Sequence, residues 1–205
     1  GYSSPKTPSR VYRFNLSNKS KELVKEQEIP SGHNPENYIV ERVEFQSHDG
    51  RLVPLTITRH KKTKIDGSAN LLLYGYGSYG SSMSPSFSST RLSLIDRNII
   101  WATAHIRGGL EKGMKWWKEG KLTNKKNTFE DYIHGGRYLI ENNYTSKGKI
   151  IGMGGSAGGL LMGAVVNQSP ELFLGIIMAV PFVDSLTTNL DHSLPLTVGE
   201  FDEFG

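Results

Sequence analysis

The sequence predicts an α/β fold, a mostly parallel sheet with helices on both faces. Two observations favour it. Apolar runs of strand length alternate with stretches of helical periodicity, and no internal repeat interrupts this alternation. The predicted strands span residues 70–76, 98–104, the apolar run before Ser156, and 175–181, and the predicted helices span residues 86–96, 127–143 and 160–168.

Composition limits the possible functions. The 205 residues suffice for one domain or slightly more, and 37% hydrophobic with 21% charged residues is typical of a soluble globular chain. A net charge of +4 indicates no particular partner, and the apolar runs are far shorter than a membrane span of about 20 residues. The absence of cysteine excludes disulfides and thiolate chemistry and agrees with a reducing compartment, so we expect a cytoplasmic protein without a membrane partner.

Residues 1–36 differ from the rest of the chain. They are polar and rich in turn residues, with two short strand-like pieces at residues 10–16 and 21–27 that cannot form a core alone. We therefore interpret residues 1–36 as the end of a β-domain and a linker, and residues 37–205 as the start of the α/β domain. In that domain, Asp49-Gly50 separates two alternating runs and predicts a hairpin.

The longest predicted helix is amphipathic. Apolar residues at helical spacing, from Phe129 to Ile140, share one of its faces. Thr128 and Asp131 have the spacing of a capping pair and predict where this helix begins.

The chemistry is concentrated in the motif Gly154-x-Ser156-x-Gly158. An apolar run precedes it and a helical run follows, which is the context of a nucleophile elbow. Such a serine lies on a sharp turn between strand and helix, where flanking side chains would clash with backbone. The next amide, that of Ala157, would be free at a helix N-terminus to stabilise an oxyanion. The alternative interpretation is a glycine-rich turn with an inert serine.

Other motifs point less well to function. Residues 75–80 match G-x-G-x-x-G, but a dinucleotide site needs a helix directly after it, and a loop follows here. Residues 152–157 match the looser G-x-G-x-x-A form, but they come late in the sheet. Lysines between residues 112 and 126 surround two tryptophans, but acidic residues dilute them, so we expect no nucleic-acid partner.

The histidines show no metal-ligand spacing, so we expect neither a metal site nor a cofactor. A serine nucleophile needs a histidine base and a carboxylate, which follow the serine in this fold. His192 is the only histidine after Ser156, and no predicted strand follows it to position a catalytic loop. We therefore expect the chain to stop before its triad is complete, with His192 as the alternative base.

Four ordered blocks of the chain form a recognisable set: residues 73–80 (LYGYGSYG), 104–109 (AHIRGG) with Glu111 and Gly113, 126–132 (KNTFEDY) and 154–159 (GGSAGG). Together these blocks resemble the prolyl oligopeptidase family of serine peptidases, in which an α/β-hydrolase domain carries a β-propeller. Within this family, the chain is most similar to the oligopeptidase B branch. The similarity lies in the alanine at position 157 and in the sequences of residues 180–184 and 195–205. The resemblance implies that residues 1–36 are the end of the propeller and the linker, and that the chain is a fragment.

The resemblance also implies roles. Ser156 would be the nucleophile, and the amide of Ala157 and the hydroxyl of Tyr76 would stabilise the oxyanion. Tyr79 would line the primary specificity pocket. Glu200 and Asp202 match paired acidic positions that bind the basic side chain, although glutamate is usual where Asp202 stands. Arg107 matches a family arginine that we interpret as loop scaffolding.

These roles imply a peptidase that cleaves short peptides after Arg or Lys through an acyl-enzyme, with no cofactor. The fragment alone is expected to be inactive, because the triad aspartate and histidine are missing. Two alternatives stay open: another α/β-hydrolase, such as an esterase or aminopeptidase, and a decayed gene product without catalysis. The sequence does not indicate an oligomeric state.

Overall fold

Two β-sheets organise the chain in the computed structural model, which describes residues 1–195 and 197–204. Strands β1 (Tyr2–Ser4), β2 (Thr7–Phe14) and β3 (Lys21–Glu26) form a small antiparallel sheet. The larger sheet comprises six strands: β4 (Tyr38–Gln46), β5 (Leu52–His60), β6 (Leu71–Tyr74), β7 (Ile100–Ala104), β8 (Ile150–Gly155) and β9 (Phe173–Ala179).

The larger sheet has the strand order β4-β5-β7-β6-β8-β9. Its first two strands form the antiparallel hairpin predicted at Asp49-Gly50, with Val43 opposite Leu55. The last four strands in this order run parallel to one another. The predicted α/β architecture is therefore confirmed, with a mixed sheet that is parallel where the elbow lies.

Helices lie on both faces of the sheet, because its buried strands alternate their side chains between two cores. Leu71 and Leu73 of β6 pack in the larger core, whereas Leu72 packs in a second core on the opposite face. The helices are α1 (Ser89–Ile95), α2 (Met114–Lys118), α3 (Lys126–Glu141), α4 (Ala157–Gln168), α5 (Ser185–Leu190) and α6 (Thr197–Phe204). Helices α3 and α4 contribute to the larger core, and α1 contributes to the second.

The predicted capping pair of α3 is wrong. The helix begins at Lys126, before Thr128. The Thr128 hydroxyl instead shares its one proton between the backbone oxygens of Arg107 and Gly120, and Asp131 is fully buried. Both side chains face the interior, so tertiary contacts decide their partners rather than the helix terminus.

Asp131 is the partner of the buried Arg107. The guanidinium donates two hydrogen bonds to the carboxylate, of 2.9 and 2.6 Å, and a third, of 2.6 Å, to Asp49 at the β4–β5 turn. The ion pair joins the hairpin to α3 and to the loop after β7. This arrangement agrees with a scaffolding role for Arg107.

Within the described residues, every helix is too short or too polar to traverse a lipid bilayer.

Candidate active site

Ser156 lies at the sharp turn between β8 and α4. Its backbone adopts φ 54° and ψ −120°, a strained conformation for a residue with a side chain, and its side chain is exposed to solvent. A Cβ atom at Gly154 would collide with the carbonyl oxygen of Gly158. The close approach of these two backbone segments explains the glycine at this position and matches the steric argument made from the sequence.

Backbone hydrogen bonds tie the turn to the end of β9. The amide of Ser156 donates to Ala179 at 2.9 Å, and the amide of Phe182 donates to the carbonyl of Ser156 at 3.0 Å. Ala157 is the first residue of α4, so its amide has no acceptor within the helix. An N–H group beside Ser156 is therefore available to a negatively charged oxygen.

The loop after β6 brings two tyrosines to Ser156. Burial raises the pKa of Tyr76, whereas an interaction with the Ser156 side chain opposes this rise. The ring of Tyr79 lies 6.2 Å from that of Tyr76. The G-x-G-x-x-G stretch thus supplies aromatic side chains to this site, and the next helix, α1, begins only at Ser89.

Tyr79 connects this loop to α6. Its hydroxyl donates a 2.6 Å hydrogen bond to Oε2 of Glu200. Burial and this hydrogen bond both raise the pKa of Tyr79, so its hydroxyl remains a donor. Tyr79 and Glu200 line a cavity of about 230 Å³ together with Ser156 and Phe182. The cavity therefore combines a hydroxyl, a carboxylate and an aromatic wall.

Two other predicted residues lie elsewhere. Asp202 is exposed and does not line the cavity. His192 is also exposed, and its ring packs at 5.7 Å against Phe201 instead of contacting Ser156. Within residues 1–195 and 197–204, the structure therefore brings Ser156, Ala157, Tyr76, Tyr79 and Glu200 together without a histidine.

Sequence reasoning missed a buried cluster behind the cavity. Nζ of Lys125 lies 3.2 Å from Oε1 of Glu203, and Nε1 of Trp117 donates to the other carboxylate oxygen at 2.9 Å. Burial lowers the pKa of Lys125, and Glu203 opposes this shift. No local sequence pattern relates Glu203 to Lys125 or to Trp117, because these residues lie 78 and 86 positions before it in the chain.

A serine on a strained turn between a parallel strand and a helix, beside available amide and hydroxyl donors, defines the chain as part of an α/β-hydrolase. A sequence profile described as the Prolyl oligopeptidase family matches residues 85–205. The chain belongs to that family, as the resemblance of its motifs predicted.

Individual relatives agree with this assignment. The chain is 47% identical over its whole length to Dipeptidyl aminopeptidase BI of Pseudoxanthomonas mexicana and 43% identical to Protease 2 of Moraxella lacunata. The structure of the whole chain is similar to part of oligopeptidase B from Leishmania major, with a TM-score of 0.93 and 43% sequence identity. The chain spans only 28%, 30% and 28% of these three proteins, respectively.

Proposed function

We propose that the whole protein is a serine oligopeptidase that hydrolyses short peptides after Arg or Lys through an acyl-enzyme on Ser156. The observation that carries this proposal is the position of Glu200. Its carboxylate lines the same cavity as Ser156 and is oriented by Tyr79. A carboxylate held in this way suits a guanidinium or ammonium group.

Ser156 acts as the nucleophile in this proposal. Its Oγ attacks the carbonyl carbon of the basic residue. A histidine from the remainder of a longer chain accepts the proton of the serine hydroxyl. The amide of Ala157 and the hydroxyl of Tyr76 donate hydrogen bonds to the tetrahedral oxyanion. The C–N bond breaks as the histidine protonates the leaving amine, and water then hydrolyses the ester on Ser156.

The substrate's basic side chain enters the cavity beside Phe182 and Tyr79, and its charge meets Glu200. Asp202 has a weaker role in this proposal, because its side chain is exposed and outside the cavity lining. In a peptide, an Arg or Lys side chain and the carbonyl group of the same residue lie close together. A carboxylate and a nucleophile in one cavity therefore favour cleavage directly after the basic residue.

A blocked Arg-amide, a Pro-amide and a simple ester, offered to the full-length protein, test the proposal. We expect the Arg-amide to have the highest kcat/KM and Ser156→Ala to abolish its turnover. Faster hydrolysis of the ester or the Pro-amide would contradict the specificity. The chain of residues 1–205 alone should show negligible turnover, because it is expected to contain no histidine base for Ser156. If this chain hydrolysed the Arg-amide and Ser156→Ala abolished that activity, the expectation would be wrong.

An aminopeptidase is the second candidate, favoured by the 47% identity to a protein named as a dipeptidyl aminopeptidase. The two activities differ in their need for a free substrate α-amino group. Comparing Xaa-Arg-amide substrates with free and blocked amino termini distinguishes them. We expect both forms to be cleaved, whereas cleavage of the free form alone would favour the aminopeptidase. The absence of hydrolysis in every assay would favour a decayed, non-catalytic product.

A further inference from the structure

We infer that Lys125 is a positioning residue that joins the loop carrying Tyr76 and Tyr79 to the helix carrying Glu200. This inference rests on the proposed cleavage after basic residues. It concerns how the enzyme fixes the position of its oxyanion donor relative to the carboxylate that binds the basic side chain. Lys125 itself lies behind the cavity and is not expected to touch the substrate.

The ammonium group of Lys125 has a contact for each of its three protons. It donates to the carbonyl oxygen of Gly77 at 2.7 Å and to Oγ of Ser78 at 2.5 Å, both in the loop between Tyr76 and Tyr79. Its third contact is Oε1 of Glu203 on α6, at 3.2 Å. A single cation therefore holds two segments that meet only in the folded chain.

These contacts are shielded from solvent. The side chains of Lys125 and Glu203 are 11% and 3% exposed, and Ser78 is fully buried. Removing one partner of such a pair leaves an uncompensated buried charge, so the loop or the helix must move. The pair thus has a strong effect on geometry although it makes no contact with the cavity.

Glu203 and Glu200 are one helical turn apart on α6, so the anchor and the cavity carboxylate move together. Glu203 is fixed on its other side by Trp117 of α2, and the ring of Phe204 lies 5.9 Å from that of Tyr79. Displacing α6 would therefore separate Glu200 from the hydroxyl of Tyr79. The expected consequence is a loss of preference for a charged side chain.

The test compares arginine with citrulline, which has nearly the same shape but no charge. In the full-length protein, the ratio of kcat/KM for the Arg-amide to that for the citrulline-amide measures what the carboxylate contributes. We expect Lys125→Met to lower this ratio about tenfold or more, the loss typical of one charge-assisted hydrogen bond. Lys126→Met, the adjacent exposed lysine, is the matched control and should leave the ratio unchanged.

A double-mutant cycle with Glu200→Gln separates positioning from general destabilisation. If Lys125 acts by placing Glu200, Lys125→Met should have little further effect on the ratio once the carboxylate is gone. An equal fall of the ratio in both backgrounds, or no fall in either, would overturn the inference. Should Lys125→Met fail to fold, the isosteric Glu203→Gln enters the same cycle with the same expected outcomes.

The cycle also separates this inference from the proposed function. A wild-type ratio near one would refute cleavage directed by a basic side chain, and with it this role of Lys125. A high wild-type ratio that is insensitive to both Lys125→Met and Glu203→Gln would refute only the positioning role. Loss of kcat for both substrates with an unchanged ratio would also refute it, because such a loss concerns the oxyanion loop alone.

Discussion

The hydroxyl of Tyr79 donates a 2.6 Å hydrogen bond to the carboxylate of Glu200, a residue 121 positions further along the chain. The donor belongs to the loop after β6, and the acceptor belongs to α6. This contact places a negative charge in the cavity that Ser156 also lines. It is the relationship on which the proposed preference for a basic side chain depends.

Glu200→Gln should remove the proposed preference for a charged substrate side chain while keeping the volume of the side chain at position 200. We expect the ratio of kcat/KM for Arg-amide to citrulline-amide to fall about tenfold or more, because a charge-assisted hydrogen bond contributes about 1.5–3 kcal/mol. Steady-state kinetics of the full-length protein measure this ratio. Asp202→Asn should change it much less, and an equal or larger effect of Asp202→Asn would contradict the assignment to Glu200.

Tyr76→Phe and Tyr79→Phe should separate catalysis from specificity. Loss of the Tyr76 hydroxyl removes the proposed oxyanion donor, so kcat should fall about a hundredfold or more for charged and neutral substrates alike. Loss of the Tyr79 hydroxyl should affect mainly the Arg-amide, because only the orientation of Glu200 changes. Single-turnover rates with the Arg-amide and the citrulline-amide measure these effects. If the two variants lost the same proportion of rate on each substrate, the result would count against separate roles for the two tyrosines.

Arg107→Met should destabilise the fold strongly. Asp131 would remain fully buried without its cation, a change that typically costs about 3–5 kcal/mol. Urea unfolding of the chain measures the free energy of unfolding. Arg51→Met is the matched control: its pair with Glu119 is half exposed, so its loss should cost less than about 1 kcal/mol. Similar costs in the two variants would show that burial does not set the effect.

Ile177→Lys should reduce self-association of the chain of residues 1–205. β9 ends the described sheet, and Leu174, Ile177 and Met178 on it are 59%, 45% and 44% exposed. An apolar edge strand favours pairing between chains, and a lysine opposes it. Light scattering as a function of concentration measures the change. Leu16→Lys adds the same charge at an exposed position outside this sheet, and an equal reduction there would argue against edge pairing.

The elements predictable from the sequence are those with local causes. The hairpin at Asp49-Gly50 follows from a turn dipeptide between alternating runs, and the antiparallel pairing of β4 with β5 confirms it. The turn at Ser156 follows from small residues between an apolar run and a helical run, and the structure gives it a strained backbone. The predicted ends of helices and strands differ from the observed ends by a few residues. For α1, the capping side chain of Ser88 determines where the helix begins.

The sequence by itself determined the alternation of strands and helices, the elbow and the motifs of the family, because each depends on neighbours within a few residues. Only the tertiary structure decided that Thr128 and Asp131 face the interior, that Glu200 rather than Asp202 enters the cavity, and that Lys125 binds Glu203. These contacts join residues far apart in the chain, and no periodicity relates them. Their partners follow from how the loop after β6, α3 and α6 pack together.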